Sequence, residues 1–338
     1  MIKLSVIIPV YNVEDYVGKC LDSLTAPALA SAARGEAPEY EIIAVNDGST
    51  DSSAEIVQNY VNRYPGFIQL ISTENQGQGH ARNVGTDAAR GEFLYFIDSD
   101  DYLAPGAMQE LLDSLGDDFD IMIFDSVSVN SDGKEISYYS GCRRDGSINL
   151  REFPELLLEN PICGGSVCRR HIYADNGIRF PSRVWFEDFR TLLKLYALTD
   201  RIVHVPRAWH RYLQRPGSVT NNRNPERNLE IIPAVDDLIQ FYTGLGRGEE
   251  LADVLEYMAF HHGFLTASVR VNLADPKSPA QDTLMETFLT EFPNYADNPY
   301  IKSMGRRHKL LTWLLMRKRR MAVHLIMKVN NLIKDKKV

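Results

Sequence analysis

Gly91-Glu-Phe-Leu-Tyr-Phe-Ile-Asp-Ser-Asp-Asp101 is a hydrophobic run that ends abruptly in acid. Residues 93–97 are all apolar or aromatic, as in a short strand covered on both faces. Asp98, Asp100 and Asp101 follow at once. Three carboxylates within four positions repel one another strongly if they are desolvated without a counter-charge. Mg2+ or Mn2+ bridging to a diphosphate would supply that charge through hard oxygen ligands and keep sites open for phosphate oxygens. In isolation the same four residues also read as a solvated turn capping a helix that starts near Pro105. The surrounding pattern decides between the two.

Outward from this stretch, strand and helix patterns alternate through the first 127 residues. Short buried strands are expected at 3–10, 41–45, 67–71, 93–97 and 120–124, and helices at 14–24, 52–64, 78–89 and 106–115. Such alternation predicts an α/β fold with a mainly parallel sheet and helices on both faces. Ligands bind such sheets beyond the carboxyl ends of the strands. Polar clusters fall there: Tyr11-Asn12 after the first strand, Asn46-Asp47-Gly48-Ser49 after the second, and the acidic run after the fourth. The Ala-rich stretch 25–38, with two prolines, reads as a surface excursion. Residues 128–182 are mixed, 186–198 form an amphipathic helix, and 201–205 a short strand. A turn-rich segment at 214–224 precedes helical patterns at 226–242, 249–271 and 281–292.

The cluster Val45-Asn-Asp-Gly-Ser-Thr-Asp51 suits a capping turn, with Thr50 or Asp51 on the next helix. Beside Pro9-Val-Tyr11-Asn12 it also suits a nucleotide cradle, in which Tyr11 stacks on the base and Asp47 accepts from a base N–H. Asn75-Gln-Gly-Gln-Gly-His-Ala-Arg82-Asn83 leads into a helix. Its glycines permit close backbone approach to a ligand, and Arg82 could reach a base or phosphate. The spacing is not the dinucleotide-binding glycine fingerprint. Trp185-Phe-Glu187-Asp188 opens a helix, where a pair of acids compensates the dipole or supplies a base to an acceptor hydroxyl. His210 is either an extra metal ligand or a structural histidine.

Taken in order, Ser5-Val-Ile-Ile-Pro-Val-Tyr-Asn12, Val45 to Asp51, Asn75-Gln-Gly with Ala81-Arg-Asn-Val-Gly85, and Gly91-Glu-Phe with Asp98-Ser-Asp-Asp101 resemble the family 2 glycosyltransferases of bacterial surface-polysaccharide synthesis. The resemblance covers roughly residues 3–220. It implies the GT-A fold, a nucleotide-diphospho-sugar donor, Mn2+ or Mg2+, and inversion at the anomeric carbon. By that resemblance Asp98 touches ribose and metal, Asp100 is the principal metal ligand, and Pro9, Tyr11, Asp47, Arg82 and Ser99 line the donor pocket. Asp188 becomes the base with Glu187 in support. Tyr212-Leu-Gln-Arg215-Pro-Gly-Ser218-Val-Thr220 resembles the segment closing the catalytic domain, with Arg215 and Ser218 on the diphosphate. The Gln-x-x-Arg-Trp signature of processive synthases is missing, which favours addition of one sugar or few.

The 338 residues carry a net charge of −8, unevenly distributed. From Lys302 onward there are 12 Lys/Arg and one acid, which leaves 25 basic and 44 acidic residues, of the 37 and 45, in the rest. An acidic body does not read as a nucleic-acid binder. Four cysteines among 338 residues suggest neither a disulfide framework nor paired zinc knuckles, and fit a reducing cytosol. No stretch reaches the roughly 18 apolar residues of a spanning helix. The basic tail suits interfacial helices on an anionic membrane, a terminal helix packed on the body, or the face of a homodimer. The expected organisation is a catalytic domain over 1–220, with a nucleotide-sugar half to 127 and an acceptor half from 128. A helical appendage over 221–300 and a membrane-surface tail over 301–338 complete it. The expected activity is transfer of a hexose or N-acetylhexosamine from a UDP-sugar to a polyprenyl-diphosphate-linked or glycan acceptor at the cytosolic membrane face. The rivals are a sugar-nucleotide nucleotidyltransferase, whose triphosphate loop is missing after the first strand, and a non-catalytic membrane-surface scaffold.

Overall fold

The computed structural model describes residues 2–33, 37–215 and 224–335, with the side chains of 30–33 and 330–335 outside the description. The chain forms two compact units, Met1–Phe153 with Glu159–Arg215, and Pro154–Leu158 with Pro216–Val338.

The first unit contains β1 (Leu4–Val10), α1 (Val17–Ala33), β2 (Tyr40–Asn46), α2 (Ser53–Arg63), β3 (Ile68–Ser72) and α3 (Gln78–Ala88). It continues with β4 (Phe93–Phe96), β5 (Tyr102–Leu103), α4 (Ala107–Ser114), β6 (Ile121–Val129), β7 (Glu135–Tyr139) and β8 (Gly146–Ile148). β9 (Ser166–Arg169), α5 (Arg170–Asp175), α6 (Glu187–Leu195) and β10 (Ile202–Leu213) complete it. One sheet runs β3-β2-β1-β4-β9-β6-β10-β5, with β7 on β6 and β8 on β10. β1, β2, β3 and β4 pair in parallel, as do β6 and β10, while β9 enters antiparallel between β4 and β6. β1, β2, β4 and β6 are buried along their whole length, which is why each carries a run of at least four consecutive apolar residues.

Two elements run further than their sequence suggests. α1 continues through Pro27 to Ala33, into the stretch expected to be a surface excursion. The Tyr40 hydroxyl donates to Leu24 C=O at 2.5 Å and accepts from Ala28 N–H at 3.3 Å, bridging the ladder where proline interrupts it. β10 continues past Pro206 to Leu213, with register shifts between Val205, Ala208 and His210 that accommodate the proline. This extension carries His210 and Leu213 to the same sheet end as the acidic run.

The second unit is helical: α7 (Ile231–Gly244), α8 (Ala252–Met258), a π-helical stretch over Ala259–Thr266, α9 (Ala267–Ala274), α10 (Ala280–Glu291), α11 (Pro299–Ser303), α12 (Arg306–Met316) and α13 (Arg320–Asp335). Phe260, Phe264 and Phe288 pack together at its centre, with Tyr295 against the first and last. The tail from 301 is part of this unit. Asn272 Nδ2 donates to Arg320 C=O at 2.9 Å, His324 Nδ1 lies 2.9 Å from Asn272 O, and Val323 is fully buried. No helix among the described residues is long and apolar enough to cross a membrane.

Candidate active site

β1, β2 and β4 deliver their carboxyl ends to one rim of the sheet, and the loops that follow are stitched together. Asn12, held at φ +49°, accepts Thr50 N–H through Oδ1 at 2.8 Å, and Val13 N–H donates to Ser53 Oγ at 2.8 Å. Glu14 accepts Ser52 N–H, and Asp51 accepts Glu14 N–H. Pro9 is buried at the end of β1, whereas Tyr11 stands half exposed beside it.

Asp47 is buried, and its two oxygens accept Gln76 N–H and Gly77 N–H, each at 2.8 Å. It therefore anchors the segment that opens α3. That segment lies tight against residues 180–183. A Cβ on Gly79 would sit 2.1 Å from Pro181 O, and Gly77 has φ +88° beside Arg183. Glycine is needed at both places for sterics and for the left-handed backbone.

Arg82 projects from α3 into the centre of the site and is almost completely buried. Nη2 donates to Asp98 Oδ1 and Nη1 to Glu187 Oε1, both at 2.7 Å, and the guanidinium lies over the Phe180 ring. Gln78 donates a second hydrogen bond to Glu187. One cation thus links the end of β4 to the first turn of α6. Two surrounding carboxylates hold it firmly protonated despite its burial.

The acidic run is divided among three jobs. Asp98 is partly exposed and ion-paired to Arg82. Asp100 accepts Arg215 Nε through Oδ2 at 2.7 Å, and the Arg215 guanidinium lies over the Tyr16 ring. Burial and the neighbouring Asp98 charge raise the Asp100 pKa, against the opposing pull of Arg215. Asp101 is buried and faces away into the sheet. Its Oδ1 accepts Leu213 N–H at 2.8 Å, and its Oδ2 lies 2.9 Å from His210 Nε2. Burial is the main reason its pKa is raised. His210 Nδ1 lies 3.0 Å from Ser126 Oγ, so both ring nitrogens have protein partners. The ring packs on Gly164, where a Cβ would lie 2.3 Å from Nε2. Ser99 is buried inside the turn, and Ser218 lies outside the described residues.

Asp188 sits beside the Arg82–Glu187 pair in the first turn of α6. Phe186, just before that turn, is held at φ +63°. Such strain in a bulky residue persists only where the surroundings over-determine it. Asp188 Oδ1 accepts Phe189 N–H at 2.7 Å. Its pKa is pushed up to about 7, by desolvation first and the Glu187 charge second, against the pull of Arg82.

Asp98, Asp100, Arg82, Arg215, Glu187 and Asp188 therefore converge, with Asp47 holding the α3 loop behind them. Sequence reasoning missed Gln78, Tyr16 and the Asp101–His210 contact. The first two carry no chemical signature, and the third joins positions 109 apart. Among the described residues no three or more His, Cys, Asp or Glu side chains converge as a ready-made metal cage. Asp98 and Asp100 still suit a hard divalent cation. Each gives one oxygen to an arginine and keeps the other outside that ion pair, and phosphate oxygens would complete the coordination.

The family model described as Glycosyl transferase family 2 matches residues 5–176, half of the chain. The putative glycosyltransferase EpsH of Bacillus subtilis is 42% identical over 120 residues, 36% of this chain and 32% of its own length. Glycosyltransferase GlyA of Streptococcus pneumoniae is 29% identical over 255 residues, 72% of this chain and 35% of its own. The poly(ribitol-phosphate) beta-N-acetylglucosaminyltransferase TarS of Staphylococcus aureus is 30% identical over 242 residues, 69% of this chain and 39% of its own. These matches thus span about a third to two fifths of each relative. The crystal structure of S. aureus TarS 1-349 in complex with UDP-GlcNAc superposes with a TM-score of 0.61 at 21% identity, covering 97% of this chain and 92% of that one. The fold is GT-A, with helices appended at the carboxyl end, and the chain belongs to glycosyl transferase family 2.

Proposed function

We propose that the chain is an inverting glycosyltransferase that moves a hexose or N-acetylhexosamine from a UDP-sugar to a polyprenyl-diphosphate-linked or glycan acceptor in bacterial cell-surface glycan synthesis. The observation that carries this reading is the convergence of Asp98 and Asp100 with Asp188 around the Arg82–Glu187 pair. The TarS complex with UDP-GlcNAc and that relative's name as a poly(ribitol-phosphate) beta-N-acetylglucosaminyltransferase support the donor and the pathway class. Work at the cytosolic membrane face, with residues 302–338 on an anionic surface, goes with it.

Asp98 and Asp100 would hold Mn2+ or Mg2+. Bound there, the ion would neutralise the donor diphosphate and stabilise the departing nucleotide. Asp47 and Tyr11 shape the nucleoside side, with Pro9 and Ser99 as its floor. Arg215 and Ser218 meet the charge that grows on the leaving diphosphate. The acceptor oxygen forms a bond to the anomeric carbon on the face opposite the diphosphate, while the bond from that carbon to the phosphate oxygen breaks. Asp188 takes the hydroxyl proton on Oδ2, because Oδ1 already accepts Phe189 N–H. Arg82 and Glu187 hold the two halves of the reaction at a fixed separation.

The test pairs two variants. Asp188→Asn should keep UDP affinity and lose about 10²–10⁴ in turnover. Asp100→Ala should abolish the Mn2+-dependent gain in UDP binding by calorimetry. Near-normal turnover in the first, or unchanged affinity with Mn2+ in the second, would remove the corresponding role. A thermal-shift screen of nucleotide sugars with Mn2+ identifies the donor.

A further inference from the structure

α13 is fastened by one side and open on the other. Val323, the Arg320 carbonyl and His324 fix it on α9. Met321, Leu325 and Val329, spaced four residues apart, form one line along the opposite side and are 62%, 65% and 46% exposed. At the amino end of this line lies an open cleft of about 470 Å³, lined by Lys277, Lys318, Arg319, Arg320 and Met321. No carboxylate lines it. Asp282, next to it, accepts Lys318 Nζ at 2.9 Å and Arg320 Nη2 at 2.5 Å, which fixes two of the four cations in place. Lys277 and Arg319 are exposed. On α12, Leu310 and Trp313 are also half exposed, and the Arg317 guanidinium lies over the Trp313 ring.

We propose that the cleft and the exposed side of α13 form a binding site for an anionic phospholipid bilayer. The cations take headgroup phosphates, and Met321, Leu325 and Val329 enter the acyl boundary. The inference deepens the membrane-surface part of the proposed function and does not depend on the donor or the chemistry. Charge and shape favour this occupant over a second copy of the chain. The apolar line, widened by exposed Ala322 and half-buried Ile326, has Lys328 along its other edge and Lys318 and Arg319 at its amino end, the pattern of a helix lying in a headgroup layer. The centre of an interface between copies is instead depleted in lysine and other charged residues. The local field is strong, because from Lys302 onward the sequence holds 12 cations and one acid. Anionic leaflets attract such segments over about a Debye length.

The test is flotation of the full chain with vesicles of phosphatidylcholine alone or mixed with phosphatidylglycerol. Recovery should require phosphatidylglycerol and fall with added salt. Leu325→Asp should reduce partitioning by about tenfold or more, and so should the double variant Lys277→Glu/Arg319→Glu. All three positions are exposed, so the variants should fold, and unchanged thermal stabilisation by UDP with Mn2+ verifies this. Loss of flotation with that stabilisation intact also separates this inference from the transferase reading. Equal recovery of wild type and Leu325→Asp would overturn the proposal, as would failure of the wild type to float. Sedimentation that shows a dimer dispersed by Leu325→Asp, with no vesicle binding by the wild type, would assign the surface to a second copy instead.

Discussion

At the scale of single residues, Asp188 is the group whose titration is most exposed to experiment. Desolvation and the adjacent Glu187 hold its pKa up to about 7, while Arg82 and the Phe189 N–H pull down and Asp98 adds a smaller push upward. An unfolded chain returns it to about 3.9. The folded state therefore favours the neutral acid. That contribution to stability is complete below about pH 4 and disappears as pH rises through about 7. Asp188→Asn does not titrate, so its melting temperature should gain on the wild type between about pH 4 and 8. Activity runs the other way, because a base must be ionised to accept a proton. kcat/KM should fall as pH drops below about 7 in the wild type. A flat stability difference across that range would show that Asp188 is not desolvated. Arg82 illustrates the limits of reading one residue at a time. Its position early in a helix suggests a hand for a ligand, whereas its neighbours make it the link between two acids that come from distant parts of the chain.

Elements decide which of those acids meet. The acidic run was legible because strand end and carboxylates are contiguous, and apolar runs of four or five residues announce β1, β2 and β4. β7 was not legible, since its residues are mostly exposed polar or aromatic side chains with no apolar face. β9 has four residues and enters antiparallel, which no local pattern encodes. The carboxyl half of β10 was hidden behind Pro206, and with it the contact between His210 and Asp101. That contact ties the turn after β4 to β10, from which Arg215 reaches Asp100. His210→Phe should cost about 1–3 kcal/mol in unfolding free energy, the penalty of leaving a buried acceptor short of a partner. It should also weaken UDP binding with Mn2+, because the turn that presents Asp98 and Asp100 loses its support. Loss of stability with unchanged nucleotide affinity would make His210 a packing residue only. Asp188 and Glu187 were recognisable as a pair, and the family resemblance gave Asp188 the part of base; that Arg82 pairs with Glu187, 105 positions away, is a contact no local pattern encodes.

Over the whole molecule, two units divide the work and the charge. Residues 4–215 supply every described part of the candidate site. The other unit holds 17 of the 37 Lys and Arg against 15 of the 45 acids, a net +2 beside the first unit's −10, and carries the amphipathic helix at its end. Charge asymmetry was visible from counting alone. The attachment of α13 to α9 was not, because Asn272 and His324 carry no signature of their own.

All four cysteines are buried, and all lie in the first unit. Cys20 donates to the Asp98 carbonyl at 3.7 Å, and burial raises all four thiol pKa values, that of Cys142 to about 11. Alkylating reagents attack thiolates, so the folded chain should be nearly inert to maleimide at neutral pH. Any labelling then counts transient openings of the sheet unit, with the helical unit silent because it has no sulfhydryl. Nucleotide with Mn2+ should slow capture at Cys20 and Cys163, measured by peptide mass mapping, more than at Cys142 and Cys168. The native thiols thus act as a built-in clock for breathing around the carboxylates, read without any engineered probe.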